Sequence, residues 1–333
     1  MDKAAIMISS LDAVVRNVLA EYDFSPDAKI TLANVSENTT YRVDDPRSGR
    51  SAALRVSRPE YHSKDEVESE LTWMDALRGA GIVRPPLAIA ARDGSRVKSV
   101  VVNGAQPRHV AVFEWLPGSA PSTEGDLVPS FRVLGALAAK MHLHGLAWKP
   151  PATFRRYSCD YDAALGSKAL WGRWQDGLGI GSSEQSLLSR LDAEIKRRLD
   201  EYGQSRDRFG LAHNDLRLAN LLHDGDNFYV IDFDDCGFAW FMYDFATAVS
   251  FIEDDPLVGE WMTSWLDGYL SQRPLTTSDF DIIPTLIMYR RLLLLGWVGS
   301  HYDYAQEARD LGVGYTTGTC RLAEDYLAGR YLR

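Results

Sequence analysis

The sequence predicts an α+β fold of two lobes: a mainly antiparallel sheet of five or six strands with one inserted helix, then a mainly helical lobe. Three observations predict it. Up to about residue 115, short runs rich in Val, Thr, Tyr and Phe alternate with Gly, Pro and Asp turns, the pattern of strands and hairpins. One stretch inside that region, residues 63–78, instead carries its apolar side chains at helical spacing. Beyond about Ser119 the helical period dominates, and the change falls at Leu116, Pro117 and Gly118. We therefore expect an N-terminal lobe of residues 1–116, a C-terminal lobe of residues 117–333, and a hinge between them.

Taken in order, residues 11–22 read as an amphipathic helix, with Leu11, Val14, Val15, Val18 and Leu19 on one face. Strands are expected at 29–35, 39–43 and 52–56, the second and third joined by a turn containing Pro46 and Gly49. The inserted helix presents Val67, Leu71, Met74 and Leu77 as a stripe, and Gly79 and Gly81 end it. Strands at 87–91 and 97–102 flank an Asp93-Gly94 turn, and a last one at 109–115 runs into Pro117-Gly118. The count is five or six according to whether 87–91 qualifies. In the helical part, two short strands near Leu221 and at 228–232 meet at Asp224-Gly225.

Bulk properties exclude several classes. A chain of 333 residues with 45% hydrophobic and 25% charged side chains has the make-up of a globular enzyme. No apolar run approaches the roughly 20 residues that span a bilayer. The most apolar segment, 282–298, is interrupted by Pro284, Tyr289, Arg290 and Arg291, which marks a buried helix. No small-residue cleavage site follows an apolar N-terminal core, so a cytoplasmic location is expected. Cys159, Cys236 and Cys320 lack C-x-x-C spacing, against a disulfide framework or structural zinc. A net charge of −10 disfavours nucleic acid and anionic membranes as partners and leaves room for a cationic small molecule. The oligomeric state is not legible.

The chemistry concentrates in His213-Asn214-Asp215-Leu216-Arg217-Leu218-Ala219-Asn220 and Ile231-Asp232-Phe233-Asp234-Asp235. An aspartate and an asparagine five positions apart share a loop, and a second aspartate ends a short hairpin. Phosphoryl transfer asks for positioning and charge stabilisation: one carboxylate to orient the attacking hydroxyl, and hard oxygen ligands for Mg²⁺. Asp215 fits the first role, Asn220 and Asp232 the second. Leu211, Leu221, Leu222, Val230 and Ile231 bracket these groups, so the carboxylates lie at the ends of buried strands, where an ionised group needs a partner.

Those two stretches resemble the aminoglycoside phosphotransferase and choline kinase family, a branch of the protein-kinase-like fold. The continuation from Asp234 through Gly237, Tyr243 and Asp244 to Ala246 is similar to the subgroup of homoserine kinase-like, hydroxylysine kinase-like and bacterial stress-response kinase-like proteins. The resemblance spans nearly the whole chain and implies an ATP- and Mg²⁺-dependent phosphotransferase acting on a hydroxyl of a small molecule: an amino alcohol, hydroxy-amino acid or aminoglycoside-like compound. It implies Asp215 as the catalytic aspartate, Asn220 and Asp232 as metal ligands, His213 as a loop-ordering residue, and Asp244 as a brace acting through Arg217 or backbone amides. The alternatives are a protein serine/threonine kinase of the stress-response type, disfavoured by the missing activation segment, and a catalytically silent nucleotide-binding protein.

The same resemblance assigns the nucleotide side. The third strand holds Arg55 where lysine is usual, and Glu70 on the inserted helix is its expected partner. Between the first two strands, Ser36 and Asn38 replace a glycine-rich loop as phosphate contacts, with Glu37 turned to solvent. Backbone groups around Glu114 and Leu116 would read the adenine edge between walls such as Val56 and Ile231. Candidates for the acceptor pocket are Arg155, Arg156, Tyr157, Trp171, Trp174, Glu253, Asp254, Asp255, Tyr289 and residues 301–304. His142 and His144 face different ways on a helix and are expected to be structural.

Overall fold

A computed structural model describes residues 11–332 except Asp12, Ser36, Glu37, Asn103, Gly104, Ala105, Thr123 and Tyr304. Helix α1 covers residues 13–19. The sheet follows: β1 (Lys29–Val35), β2 (Thr39–Asp44), β3 (Ser51–Val56), then helix α2 (Lys64–Gly79), then β4 (Ala88–Ile89), β5 (Val97–Val100) and β6 (Arg108–Glu114). It has six strands, every pairing antiparallel, in the order β1-β2-β3-β6, with β4 and β5 both along the far edge of β6. The segment at 87–91 therefore counts, though only two of its residues pair.

Side-chain alternation gives the sheet two faces. Tyr41 and Val43 of β2, Ala52, Leu54 and Val56 of β3, and Val110 and Val112 of β6 form one buried cluster with Leu11, Val15, Val18 and Leu19. The opposite face presents Arg55, Ala111 and Phe113 towards α2. That helix starts at a capping box: Ser63 Oγ accepts from the Glu66 amide at 3.3 Å, and Glu66 Oε2 accepts from the Ser63 amide at 2.8 Å. Its Val67, Leu71, Trp73, Met74 and Leu77 belong to the same core as the helical part of the chain.

That part comprises α3 (Val128–Ala147), α4 (Tyr161–Ala164), α5 (Ser182–Tyr202), β7 (Phe209–Ala212), β8 (Leu221–Asp224), β9 (Asn227–Val230), β10 (Gly237–Trp240), α6 (Tyr243–Ala248), α7 (Val258–Leu270), α8 (Thr277–Asp281), α9 (Ile283–His301) and α10 (Gln306–Leu327). β8 and β9 form the expected hairpin. β7 and β10 also pair, antiparallel, which the sequence did not suggest. Each is four residues long with a glycine, too short for periodicity to separate strand from helix. α9 is buried almost throughout; by length and hydropathy it could cross a bilayer, but it is the central helix of the core.

Two helix contacts depend on glycine. α3 and α7 pack so closely that a Cβ on Gly135 would lie 1.9 Å from the Trp265 carbonyl oxygen, and one on Gly268 would lie 2.0 Å from that of Arg132. Gly135→Ala or Gly268→Ala should therefore cost about 1–3 kcal/mol through forced separation of the helices. Thermal melts would read this as a drop of several degrees, and an unchanged midpoint would refute the close packing.

Candidate active site

The loop after β7 is held from beneath. Asp244, in the first turn of α6, is completely buried, and its carboxylate accepts the backbone amides of Asn214 at 2.9 Å and His213 at 3.4 Å. His142 of α3 donates to the same carboxylate at 2.9 Å, and its other nitrogen meets Tyr269 Oη at 3.0 Å. Asp244 thus braces the loop through backbone amides, whereas Arg217 is bonded elsewhere. Asn214 has φ 65°, a left-handed conformation asparagine tolerates well, and this turns the chain so that Asp215 follows. The His213 ring accepts the Asp215 amide at Nδ1, 3.3 Å, and its Nε2 donates to the Ile231 carbonyl at 3.1 Å. Burial pushes its pKa down, so the ring stays neutral and joins the loop to the end of β9.

Both oxygens of Asp215 are engaged. Oδ1 accepts from Arg290 Nη2 at 2.6 Å; Oδ2 accepts from Asn220 Nδ2 at 3.0 Å and Arg217 Nε at 3.3 Å. Burial works against this carboxylate's charge, but Arg217 and Arg290 outweigh it and hold the pKa below the usual range. Asn220 also donates to the Asp215 carbonyl at 2.8 Å, which leaves its amide oxygen for a cation.

Asp232 ends the hairpin in a left-handed conformation, φ 61° and ψ 61°. Desolvation, reinforced by the negative charge of Asp234, pushes its pKa up to about 7 against the pull of Arg55. Its side chain is nevertheless open to the cleft, so water there screens part of that penalty. A carboxylate raised this far by desolvation and by the charge of Asp234, in a cleft whose other candidate ligand atom is also oxygen, fits a hard divalent cation. Asp234 accepts from Asn38 Nδ2 at 2.8 Å and lies 3.5 Å from Arg55 Nη1. Arg55 and Glu70 form a buried forked pair at 2.8 and 2.6 Å. Burial alone would lower the Arg55 pKa; Glu70 and Asp234 more than offset it, and the net shift is upward.

Asp215 and Asp232 line one small cavity, about 60 Å³, whose other walls include Trp171, Asp235, Phe251, Leu293, Leu294, Trp297 and Glu307. Trp171 reaches it because Gly172 and Gly296 touch: a Cβ on Gly296 would lie 2.3 Å from the Gly172 carbonyl oxygen. From the opposite side, Tyr61 donates to Asp235 and accepts from Trp171 Nε1 at 2.8 Å.

Residues 30–277 match the family model described as the phosphotransferase enzyme family, about three quarters of the chain. The chain belongs to this family. A solved structure of a microcompartment-associated aminopropanol kinase is 46% identical, covers 96% of this chain and 99% of its own, and superposes with a TM-score of 0.88. The amicoumacin kinase of Bacillus subtilis (strain 168) is 24% identical over 320 residues, 91% of this chain and 90% of its own. A solved amicoumacin kinase complex with AMP-PNP, Ca²⁺ and Ami is 21% identical, covers 96% of this chain and 94% of its own, with a TM-score of 0.78, a likeness of fold.

In this phosphotransferase, Asn220 bonds Asp215, Arg55 bonds Glu70 and lies near Asp234, and Asn38 bonds Asp234; Asp232 shares one cavity lining with Asp215, Asp234 and Asn38, while Ser36 and Glu37 lie outside the described residues. The Glu114 amide is spent on the Leu87 carbonyl, and its carboxylate on Arg78 at 2.5 Å and the Leu87 amide at 2.9 Å, so neither group reads a base. Leu116 lies beyond the paired strand. Val56 is no adenine wall: it faces the α1 side of the sheet, and alternation puts Ala53 on the face of Arg55. Of the acceptor candidates, Trp171 lines the cavity. Tyr157 and Arg156 instead hold the hairpin end, Tyr157 donating to the Asp235 carbonyl at 2.6 Å and Arg156 to the Asp234 and Cys236 carbonyls. Trp174, Tyr289 and His301 are core; Glu253 pairs with Arg291, Asp254 with Arg321, and Asp255 bonds the Leu257 amide. Arg155 and Tyr302 are exposed, Asp303 lies outside the cavity lining, and Tyr304 is not among the described residues. His144 accepts from Trp73 Nε1 at 3.4 Å.

Sequence reasoning missed Arg290, Phe251, Trp297, Glu307 and the side chain of Asp235. Only Arg290 left a signal, as a charge inside an apolar helix that must find a partner.

Glu70→Ala would strand Arg55 in the core and should destabilise the fold by about 3–5 kcal/mol, measurable by urea titration. A second expectation concerns pH. Because folding raises the Asp232 pKa from 3.8 to about 7, this group's contribution is present at low pH and lost as pH rises through about 7. In chelator, the melting midpoint of Asp232→Asn should therefore gain on the unsubstituted protein between about pH 5 and about pH 8. A gap independent of pH would contradict it.

Proposed function

We propose that this phosphotransferase moves the γ-phosphate of ATP, with Mg²⁺, to the hydroxyl group of a small amino alcohol. The observation that carries this reading is a braced loop and a hairpin end bringing Asp215 and Asp232 to one cavity, with Asn220 bonded to Asp215, in a chain 46% identical to an aminopropanol kinase.

Asp215 orients the acceptor hydroxyl and takes its proton. In the loose transition state of phosphoryl transfer that proton leaves late, so a carboxylate held below its usual pKa by two guanidinium groups suits orientation. Asn220, through its amide oxygen, and Asp232 would hold Mg²⁺. A divalent ion held by these two side chains would supply positive charge against the negative charge that develops on phosphoryl transfer. Arg55 supplies a fixed positive charge behind the phosphate site, and Asn38 offers its amide at the covering turn. The Glu114 carbonyl and Leu116 amide are the backbone groups assigned to the adenine edge.

The cavity favours a small cationic acceptor. Asp235 and Glu307 contribute negative charge, and the aromatic side chains of Trp171, Phe251 and Trp297 line the same cavity, where an ammonium group could meet them. A hydroxy-amino acid fits less well, because Arg217 and Arg290 are already bonded to Asp215.

ADP release should be measured across amino alcohols, hydroxy-amino acids and aminoglycosides. Amino alcohols should give turnover well above background hydrolysis, and their failure while another class succeeds would displace this acceptor. Asp215→Asn should lose about 10²–10⁴-fold in kcat while keeping its nucleotide-dependent thermal shift; near-normal turnover would remove Asp215 from its role.

A further inference from the structure

Two adjacent arginines interrupt the apolar α9, and the protein uses them differently. Arg291 turns to Glu253 Oε2 at 2.5 Å and Thr319 Oγ1 at 3.0 Å, an ion pair away from the cavity. Arg290 turns into the cavity and ends on Asp215. Its guanidinium is fastened at two further points: Nη1 donates to Tyr243 Oη and Nε to Ser250 Oγ, both at 3.1 Å. Tyr243 precedes Asp244, the residue that braces the Asp215 loop. Arg290 therefore joins α9 to the segment beneath the loop and holds the Asp215 carboxylate from the side opposite Asn220.

Fold stability alone gives no reason for this residue. Burying a guanidinium costs several kcal/mol that a hydrophobic side chain of similar size would avoid. Charge balance does not require it alone either, since Arg217 already bonds the other oxygen of Asp215. What Arg290 adds is direction. Leu293, Leu294 and Trp297, one and two turns further along the same face of α9, form the acceptor wall.

Building on the amino alcohol kinase reading, we propose that Arg290 is a positioning residue for phosphoryl transfer. It fixes the aim of the Asp215 carboxylate from the helix that also shapes the acceptor, so acceptor wall and carboxylate keep one geometry. Misplacing a catalytic group by about 1 Å costs on the order of 10²-fold in rate, and Arg290 is the contact that prevents it.

The test uses the full chain with an amino alcohol acceptor. Arg290→Met should lower kcat by about 100-fold with the KM for ATP and the nucleotide-induced thermal shift essentially unchanged. Arg290→Lys should recover little, because one ammonium cannot reach Asp215, Tyr243 and Ser250 together. Added guanidinium, below denaturing concentration, should restore at least part of the activity of Arg290→Ala, a rescue that a merely structural role would not give. Arg291→Met, by contrast, should lower the melting midpoint and leave the kcat of the folded enzyme near normal. The inference is overturned if Arg290→Met keeps kcat within about threefold, a change of well under 1 kcal/mol in the barrier, or if its loss comes with a lost nucleotide shift and no rescue. Absence of acceptor-dependent turnover in the unsubstituted protein would overturn the functional reading and this inference with it; normal turnover with an unaffected Arg290→Met would overturn this inference alone.

Discussion

Buried carboxylates dominate the architecture around the cleft. Glu70, Asp215, Asp234 and Asp244 all lie inside the protein, and an unpartnered ion there costs several kcal/mol. They are answered from distant stretches of chain: Glu70 and Asp234 by Arg55 of β3, Asp215 by Arg290 of α9, Asp244 by backbone amides and His142 of α3. Segments far apart in sequence are therefore pinned at one place by charge compensation. Hydrophobic burial drives them together, but it is non-directional, whereas forked ion pairs and aimed amides specify orientation.

The same requirement gives a physical account of Arg55. A lysine offers a compact charge, which suits one carboxylate oxygen at a time. Arginine's planar fork engages both oxygens of Glu70 and still lies 3.5 Å from Asp234. With two carboxylates to satisfy on the way from α2 to the hairpin, the longer, forked side chain serves both. The arginine is consistent with a working site and gives no reason to regard the protein as silent.

Legibility in the sequence followed the range of the interactions. The sheet, α2 and the catalytic loop announce themselves through local period, turn chemistry and the spacing from His213 to Asn220, because each is built by neighbours in the chain. The β7–β10 pairing joins residues 209–212 to 237–240 and has no such local mark. The expectation that Val56 walls the adenine failed for a related reason: alternation shows that two faces exist, but not which one meets the cleft. The acceptor walls were least legible, since Trp171, Asp235, Phe251, Trp297 and Glu307 come singly from separate segments.

That dispersal has a functional logic. The loop carrying Asp215 is over-determined, with two amides on Asp244, a histidine bridge to Ile231 and Asn220 closing back onto it. Side chains facing the acceptor carry much less of this load: Phe251 and Trp297 line the cavity from the core, and Glu307 is partly exposed beside Arg217. Substituting Phe251 can reshape acceptor choice without breaking a hydrogen bond of the loop, whereas Glu307 accepts from Arg217 of that loop at 3.3 Å. Arg290 is the exception, a residue of the acceptor helix that reaches through to the braced carboxylate, and it marks where selectivity and chemistry are mechanically joined.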